Sequence, residues 1–361
     1  MPVPFILGGA AAAAGLFGVA KGAKAVSNNN EAKELLERAE RRFDEAKENL
    51  EYARRETNIS LESLGELKLN SWSDDLGRFV KLVDQVKNVE LSGEASTDDL
   101  LKRNLNMSVK ELIEMREMSL KAGEVVAGGV GALGAGALAG VASYGGAVMF
   151  ASASTGTAIA SLSGVAATNA TLAWFGGGSL AAGGFGMAGG TAVLGGIIAG
   201  PILAVGGALY EAKSRENLAE AKKHYAEAKH AIAEMENAIV LMNGIERLSN
   251  QYYNVIIEVK NRFTVILDRL DQEIEESKAQ QREMLSYKFK NIFTKVMDKE
   301  PRVDYRALTE EQQRVIHISY QFAQVLKTLL ETPLLTKDGQ IDNSAHEVIE
   351  HIGEINLITS N

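Results

Sequence analysis

The chain has 361 residues, with 47 acidic and 38 basic side chains, giving a net charge of −9. That balance excludes a general nucleic-acid binder, which needs a basic surface to displace phosphate counterions. The absence of cysteine excludes disulfides, thiol nucleophiles and cysteine-based zinc sites, while five prolines and 6% aromatic residues among abundant Ala, Glu, Lys and Leu point to an all-α fold.

Residues 1–27 form an apolar N-terminal segment. Its run from Val3 to Ala20 precedes its positive charges, Lys21 and Lys24. A secretory signal has the opposite polarity, so the segment reads as a weak anchor or as a helix packed on another helix. Its length nearly matches a bilayer core.

Residues 28–122 are a charged helical, coiled-coil region. Asn caps open it, and Leu35, Ala39, Ala46, Leu50 and Ala53 then recur at three-, four- and seven-residue steps. The stretch "SWSDDLGRFVKLVDQVKNVEL" predicts a shorter helix capped by Ser73 or Asp74. Leu76, Phe79, Val80, Val83 and Val86 fall on one side of it. The loop "SGEASTDD" leads to another helix that runs to the edge of an uncharged region.

That region, residues 123–210, is the most specific feature. From Val125 to Tyr210 there is no Asp, Glu, Lys, Arg or His. Small residues recur every four positions: Gly123, Ala127, Gly131, Ala135, Ala139, Ser143 and Ala147. They recur again at Ala188, Ala192, Gly196, Gly200, Ala204 and Ala208. On a helix this spacing makes a shallow groove in which two backbones approach closely. Glycine costs ~1 kcal/mol relative to alanine in a helix interior in water, so so many glycines imply dense packing or lipid contact. Gly131, Gly136, Gly140, Gly186, Gly190, Gly196 and Gly200 are therefore candidate membrane and oligomerisation residues. Trp174 and Phe175, at the middle of the run, read either as an interfacial anchor at a hairpin tip or as ordinary core aromatics. Arg116 and Lys121 before the run, with Lys213 and Arg215 after it, favour keeping both ends on one side of a membrane.

Residues 211–299 resume the charged helical pattern. Unbroken at the weak point Asn243-Gly244, such a helix spans ~130 Å at ~1.5 Å per residue. The last region, residues 300–361, holds a capping box at Thr309 and Gln312. Its helix should stop before Pro333, followed by a Lys337-Asp338-Gly339 turn and a short amphipathic tail. No strand ladder is evident.

Motif-like strings carry no chemistry here. Gly129–Gly134 and Gly184–Gly189 match GxGxxG but follow no strand. His346 and His351 lie five apart, on different faces of a helix, and so do not share a zinc. His224 and His230 sit on a solvated charged helix. Asp74-Asp75 and Asp98-Asp99 are read as helix starts favoured by the dipole. The expectation is a protein that is not an enzyme and uses no cofactor or metal.

The tract "TGTAIASLSGVAATNATLAWFGGGSLAAGGFGMAGGTAVLGGIIAGP", with "GLFGVAKGAKA" and "ESLGELKL", resembles a group of bacterial glycine-zipper proteins with flanking coiled-coil helices. In layout the chain is similar to α-helical pore-forming toxins of the haemolysin-BL and cytolysin-A type. It departs from them in a longer, glycine-richer tract, an apolar N-terminus and no evident secretion signal, which count against extracellular action. The resulting expectation is an elongated helical bundle or coiled coil bearing an apolar Gly/Ala-rich hairpin region. Helices 28–122 and 211–299 would pair antiparallel and carry the tract at one end. The tract would insert in a lipid bilayer and form a homo-oligomer that permeabilises it, as a toxin or defence effector. The coiled coils offer a surface for a protein partner. The expected location is cytoplasmic and membrane-associated, at a bacterial inner membrane, with secretion lacking a signal peptide left open. The alternative is a non-enzymatic scaffold whose zipper packs internally or on a partner.

Overall fold

The computed structural model describes residues 24–88, 109–128, 135–144, 218–288, 302–336 and 340–354. The fold is essentially all-α with long helices. In chain order they are α1 (Lys24–Asn70), a π-helical turn (Ser71–Leu76), α2 (Gly77–Val83), β1 (Val86–Lys87), α3 (Val109–Ala127) and α4 (Ala135–Tyr144). There follow α5 (Leu218–Lys288), β2 (Val303–Asp304), a 3-10 turn (Tyr305–Ala307), α6 (Glu310–Glu331) and α7 (Asn343–Glu354). The chain divides into two compact units, residues 1–45 with 201–233, and residues 46–200 with 234–361.

In the first unit, α1 buries Ala32, Leu36, Ala39 and Phe43, and α5 buries Ala221, Ala228 and Ala231. The α1 steps alternate four and three, the seam of a coiled coil, and alanine at every seventh position lets helices pack closely. Leu35, expected on the seam, is only half-buried. It lies one residue off the seven-residue series that Leu36 and Phe43 establish and Leu50 continues.

In the second unit, side-chain contacts fix the direction of every helix. Thr57 Oγ1 donates to the Met242 carbonyl at 3.1 Å, and Ser249 Oγ donates to the Ser60 carbonyl at 3.0 Å. Lys260 reaches Asp75, and Arg78 reaches Asp268 and Asp271. Residue numbers rise together on both sides, so α1–α2 and α5 run parallel, against the antiparallel expectation. α3 runs the other way along α1–α2. Its Arg116 pairs with Asp84, and its Ser119 Cβ would lie 3.6 Å from a Cβ on Gly77. Further back, Ser73 Oγ would lie 3.6 Å from a Cβ on Gly123. α6 also runs antiparallel to α5, because Gln312 meets Ser277 while Phe322 stacks on Phe263 further back. α1–α2 and α5 thus run one way, and α3 and α6 the other. The core is aromatic and sulfur-rich: Trp72, Phe79, Met115, Met118, Tyr252, Phe263, Tyr320 and Phe322 are all buried. Phe79 and Phe263 lie 6.0 Å apart at a 49° tilt, within the range in which rings attract.

Local readings fare unevenly. Leu76, Phe79, Val80 and Val83 are buried, as their spacing predicts, but the helix ends at Val83, and Val86, expected on its apolar side, is buried in β1 instead. The cap expected at Ser73 or Asp74 is absent. α1 passes into the π turn with Asn70 still helical and no side-chain cap, so Asp74-Asp75 lies inside helix and not at a start. At α6 the reciprocal capping box forms. Thr309 N–H donates to Gln312 Oε1 at 3.1 Å, and Gln312 N–H donates to Thr309 Oγ1 at 3.3 Å. The helix ends at Glu331, two residues before Pro333. α5 continues unbroken through Asn243-Gly244, where a Cβ on Gly244 would stand 3.0 Å from Ile341 Cδ1.

A small parallel pairing, unforeseen from the sequence, joins Val86 to Val303 and Lys87 to Asp304. Just beyond it Asn88 takes a left-handed conformation (φ 58°), and its side-chain amide donates to both Asp304 carboxylate oxygens. Two-residue strands carry no alternation that a sequence reading can detect. Leu335 and Ile341 pair across residues 337–339, and Thr336 N–H donates to the Gln340 carbonyl at 2.8 Å. The turn expected at 337–339 itself lies outside the described residues.

Candidate functional site

The site is built where α4, the described part of the uncharged tract, meets α1. α4 has no Asp, Glu, Lys, Arg or His, and its positions 138–143 are all buried. Burial around much of its circumference is what an all-apolar helix requires.

Gly65 on α1 makes the first contact. A Cβ there would lie 2.0 Å from the Leu138 carbonyl oxygen and 2.7 Å from its carbon. The helices therefore touch backbone to backbone, a distance open to no other residue. One turn further, Lys68 is fully buried. Its Nζ donates to the Thr332 carbonyl at 3.0 Å and to the Ala142 carbonyl at 3.3 Å. It also stands 5.5 Å from the centre of the Tyr252 ring, in reach of a cation–π attraction. Burial draws its pKa from the ordinary lysine value down to about 7.

The next carbonyl of α4, that of Ser143, accepts from the backbone N–H groups of Leu334 at 2.7 Å and Leu335 at 2.9 Å. Helix C-termini leave carbonyls without intrahelical donors, and cations at that end are favoured by the dipole. Lys68 and the Leu334-Leu335 amides supply donors for two of them. Tyr252 ties the layer to α7 by donating its hydroxyl to the Ala345 carbonyl at 3.0 Å, and burial holds its pKa above the ordinary tyrosine value.

A second polar group lies in the π turn. Asp75 is buried, and its carboxylate sits 3.0 Å from Lys260 Nζ. Burial raises its pKa, and the neighbouring lysine opposes that rise. Ser71 Oγ, Trp72 Nε1 and Ser143 Oγ are buried without hydrogen-bond partners among the described residues. A lysine near neutrality is a nucleophile type, but this Nζ is sealed from solvent and bonded to two carbonyls. What the arrangement does is grip the end of a helix.

Of the residues singled out from the sequence, Gly136 and Gly140 lie on α4, and Gly140 is buried. Gly131, Trp174, Phe175, Gly186, Gly190, Gly196 and Gly200 lie outside the described residues. Gly65 and Lys68 were missed as a site, although both fall within "ESLGELKL". A lysine flanked by Leu64, Leu67 and Leu69 was the available signal. His224 Nδ1 lies 3.1 Å from Glu227 on its own helix. Among the described residues no group of His, Asp or Glu could hold a metal ion, and no helix is long and apolar enough to cross a membrane. Comparison with protein-family models, with curated proteins and with solved structures found no match to this chain.

Proposed function

We propose that this chain is a membrane-active helical protein. Its bundle carries a glycine-zipper tract that enters a lipid bilayer, self-associates through its small-residue faces and permeabilises the membrane. The observation that carries the reading is the stretch from Val125 to Tyr210 without one Asp, Glu, Lys, Arg or His. A bilayer core tolerates such a segment, and its four-residue spacing of Gly, Ala and Ser suits helix association in lipid. The chain acts without catalysis, on a bacterial inner membrane reached from the cytoplasm, as a toxin or defence effector.

The test is dye release from vesicles containing phosphatidylglycerol, with flotation of the same sample to score binding. Release with binding is expected. Gly196→Leu with Gly200→Leu should abolish assembly and release while leaving helicity intact, and unchanged oligomers would refute the zipper.

A second reading is a scaffold whose zipper packs inside the protein. It is supported by the burial of α4 against α1 and the Leu334-Leu335 segment. A protein that purifies without detergent and leaves vesicles unbound would decide for it.

A further inference from the structure

We propose that the Gly65–Lys68 turn of α1 is a latch that holds α4 on the bundle, and that opening this contact is the step that frees the uncharged tract. The inference rests on the membrane reading above.

Three contacts from two separate parts of the chain, one turn of α1 and the Leu334-Leu335 segment, converge on one short helix. Gly65 admits the Leu138 carbonyl, Lys68 binds the Ala142 carbonyl, and Leu334 with Leu335 binds the Ser143 carbonyl. Between Leu138 and Ser143 the buried side chains are small apart from Leu138 and Val141, so the hold depends heavily on backbone hydrogen bonds. Such a hold can be exchanged for another set of hydrogen bonds at little net cost.

That other set is intrinsic to the helix. α4 has 10 residues, about 15 Å at 1.5 Å per residue, roughly half a bilayer core. To span a core it must extend beyond Tyr144. In an extended helix the Ala142 and Ser143 carbonyls accept from the N–H groups four residues on. A carbonyl oxygen has two lone pairs, so the Ala142 carbonyl can keep Lys68, but the Ser143 carbonyl, already bonded to Leu334 and Leu335, must release one of them. Full docking and extension are alternatives, and the latch selects the docked one.

The chain has no cysteine, so a reversible cross-link can be placed cleanly. Ser143→Cys with Leu335→Cys joins residues already linked by a 2.9 Å backbone hydrogen bond. The full-length double variant is tested for dye release from phosphatidylethanolamine–phosphatidylglycerol vesicles, oxidised and after dithiothreitol. The latch requires a silent oxidised form and a form that releases dye once reduced. Equal release from both forms overturns the latch and leaves the membrane reading standing. If wild type itself releases nothing, the membrane reading fails, and amide exchange then decides the contact. In Gly65→Ala, exchange within residues 135–144 at least tenfold faster than wild type, with α6 unchanged, upholds Gly65 as what holds α4. Unchanged exchange there overturns it.

Discussion

Gly65 and Leu138 meet backbone to backbone: the Leu138 carbonyl oxygen occupies the space, 2.0 Å away, where any Cβ on Gly65 would begin. A methyl group cannot enter without moving one helix. Gly65→Ala should therefore cost about 1–3 kcal/mol, although alanine is the better helix former. Gly353 is the control, with nothing within 4 Å of its Cβ position on α7. Gly353→Ala should be neutral or gain up to about 1 kcal/mol. Urea unfolding of both variants measures the contrast, and equal effects would contradict the close approach.

Lys68 should leave a signature in the pH dependence of stability. Its pKa is about 7 folded and 10.5 in the unfolded reference. Between those values the unfolded chain binds more protons at this site than the folded one, so stability rises with pH. One proton corresponds to a slope of about 1.4 kcal/mol per pH unit near the middle of that window. Below pH 7 the contribution is level. Tyr252 and Tyr320 act oppositely above pH 10, because their raised pKa values make the folded state hold protons longer. Denaturation from pH 7 to 10 should show the rise in wild type and lose this component in Lys68→Met.

The Asp75–Lys260 pair predicts coupled mutations. Lys260→Met leaves a buried carboxylate without its cation and should cost about 3–5 kcal/mol. Asp75→Asn in that background should recover part of the loss. A double-mutant cycle with additive effects would show that the two residues do not interact.

Thr309 offers a local test. Thr309→Ala removes the acceptor for the Gln312 N–H and should cost about 1 kcal/mol, read as a lower unfolding midpoint. Thr309→Ser should retain most of the stability.

How much of this was legible depends on the distance over which the determining contacts act. The capping box at Thr309, the stop before Pro333 and the apolar face from Leu76 to Val83 depend on residues within a few turns, and they form as their sequence predicts. The parallel direction of α1 and α5 rests on contacts such as Thr57–Met242, 185 residues apart in the chain, which no local pattern encodes. Lys68 reads as one more charge on a charged helix until Ala142 and Thr332, far along the chain, are brought to it. The π turn was hidden because "SWSDD" also resembles a helix start. Its serines and acids cap nothing, and Asp75 instead answers a lysine from α5.

The parallel register also sets an order of events during synthesis. Thr57 and Met242 are 185 residues apart, and Gln85 and Lys278 are 193 apart. At about 5–20 residues per second, the ribosome takes roughly 10–40 s to deliver each partner. Until then the α1 seam lacks the helix that completes the bundle, and the uncharged tract emerges before that helix does. Loop closure over such separations is slow even once the partner has emerged. The newborn chain thus holds Gly65 and Lys68 before α4 emerges, but gains the Leu334-Leu335 amides that complete the grip only long after it.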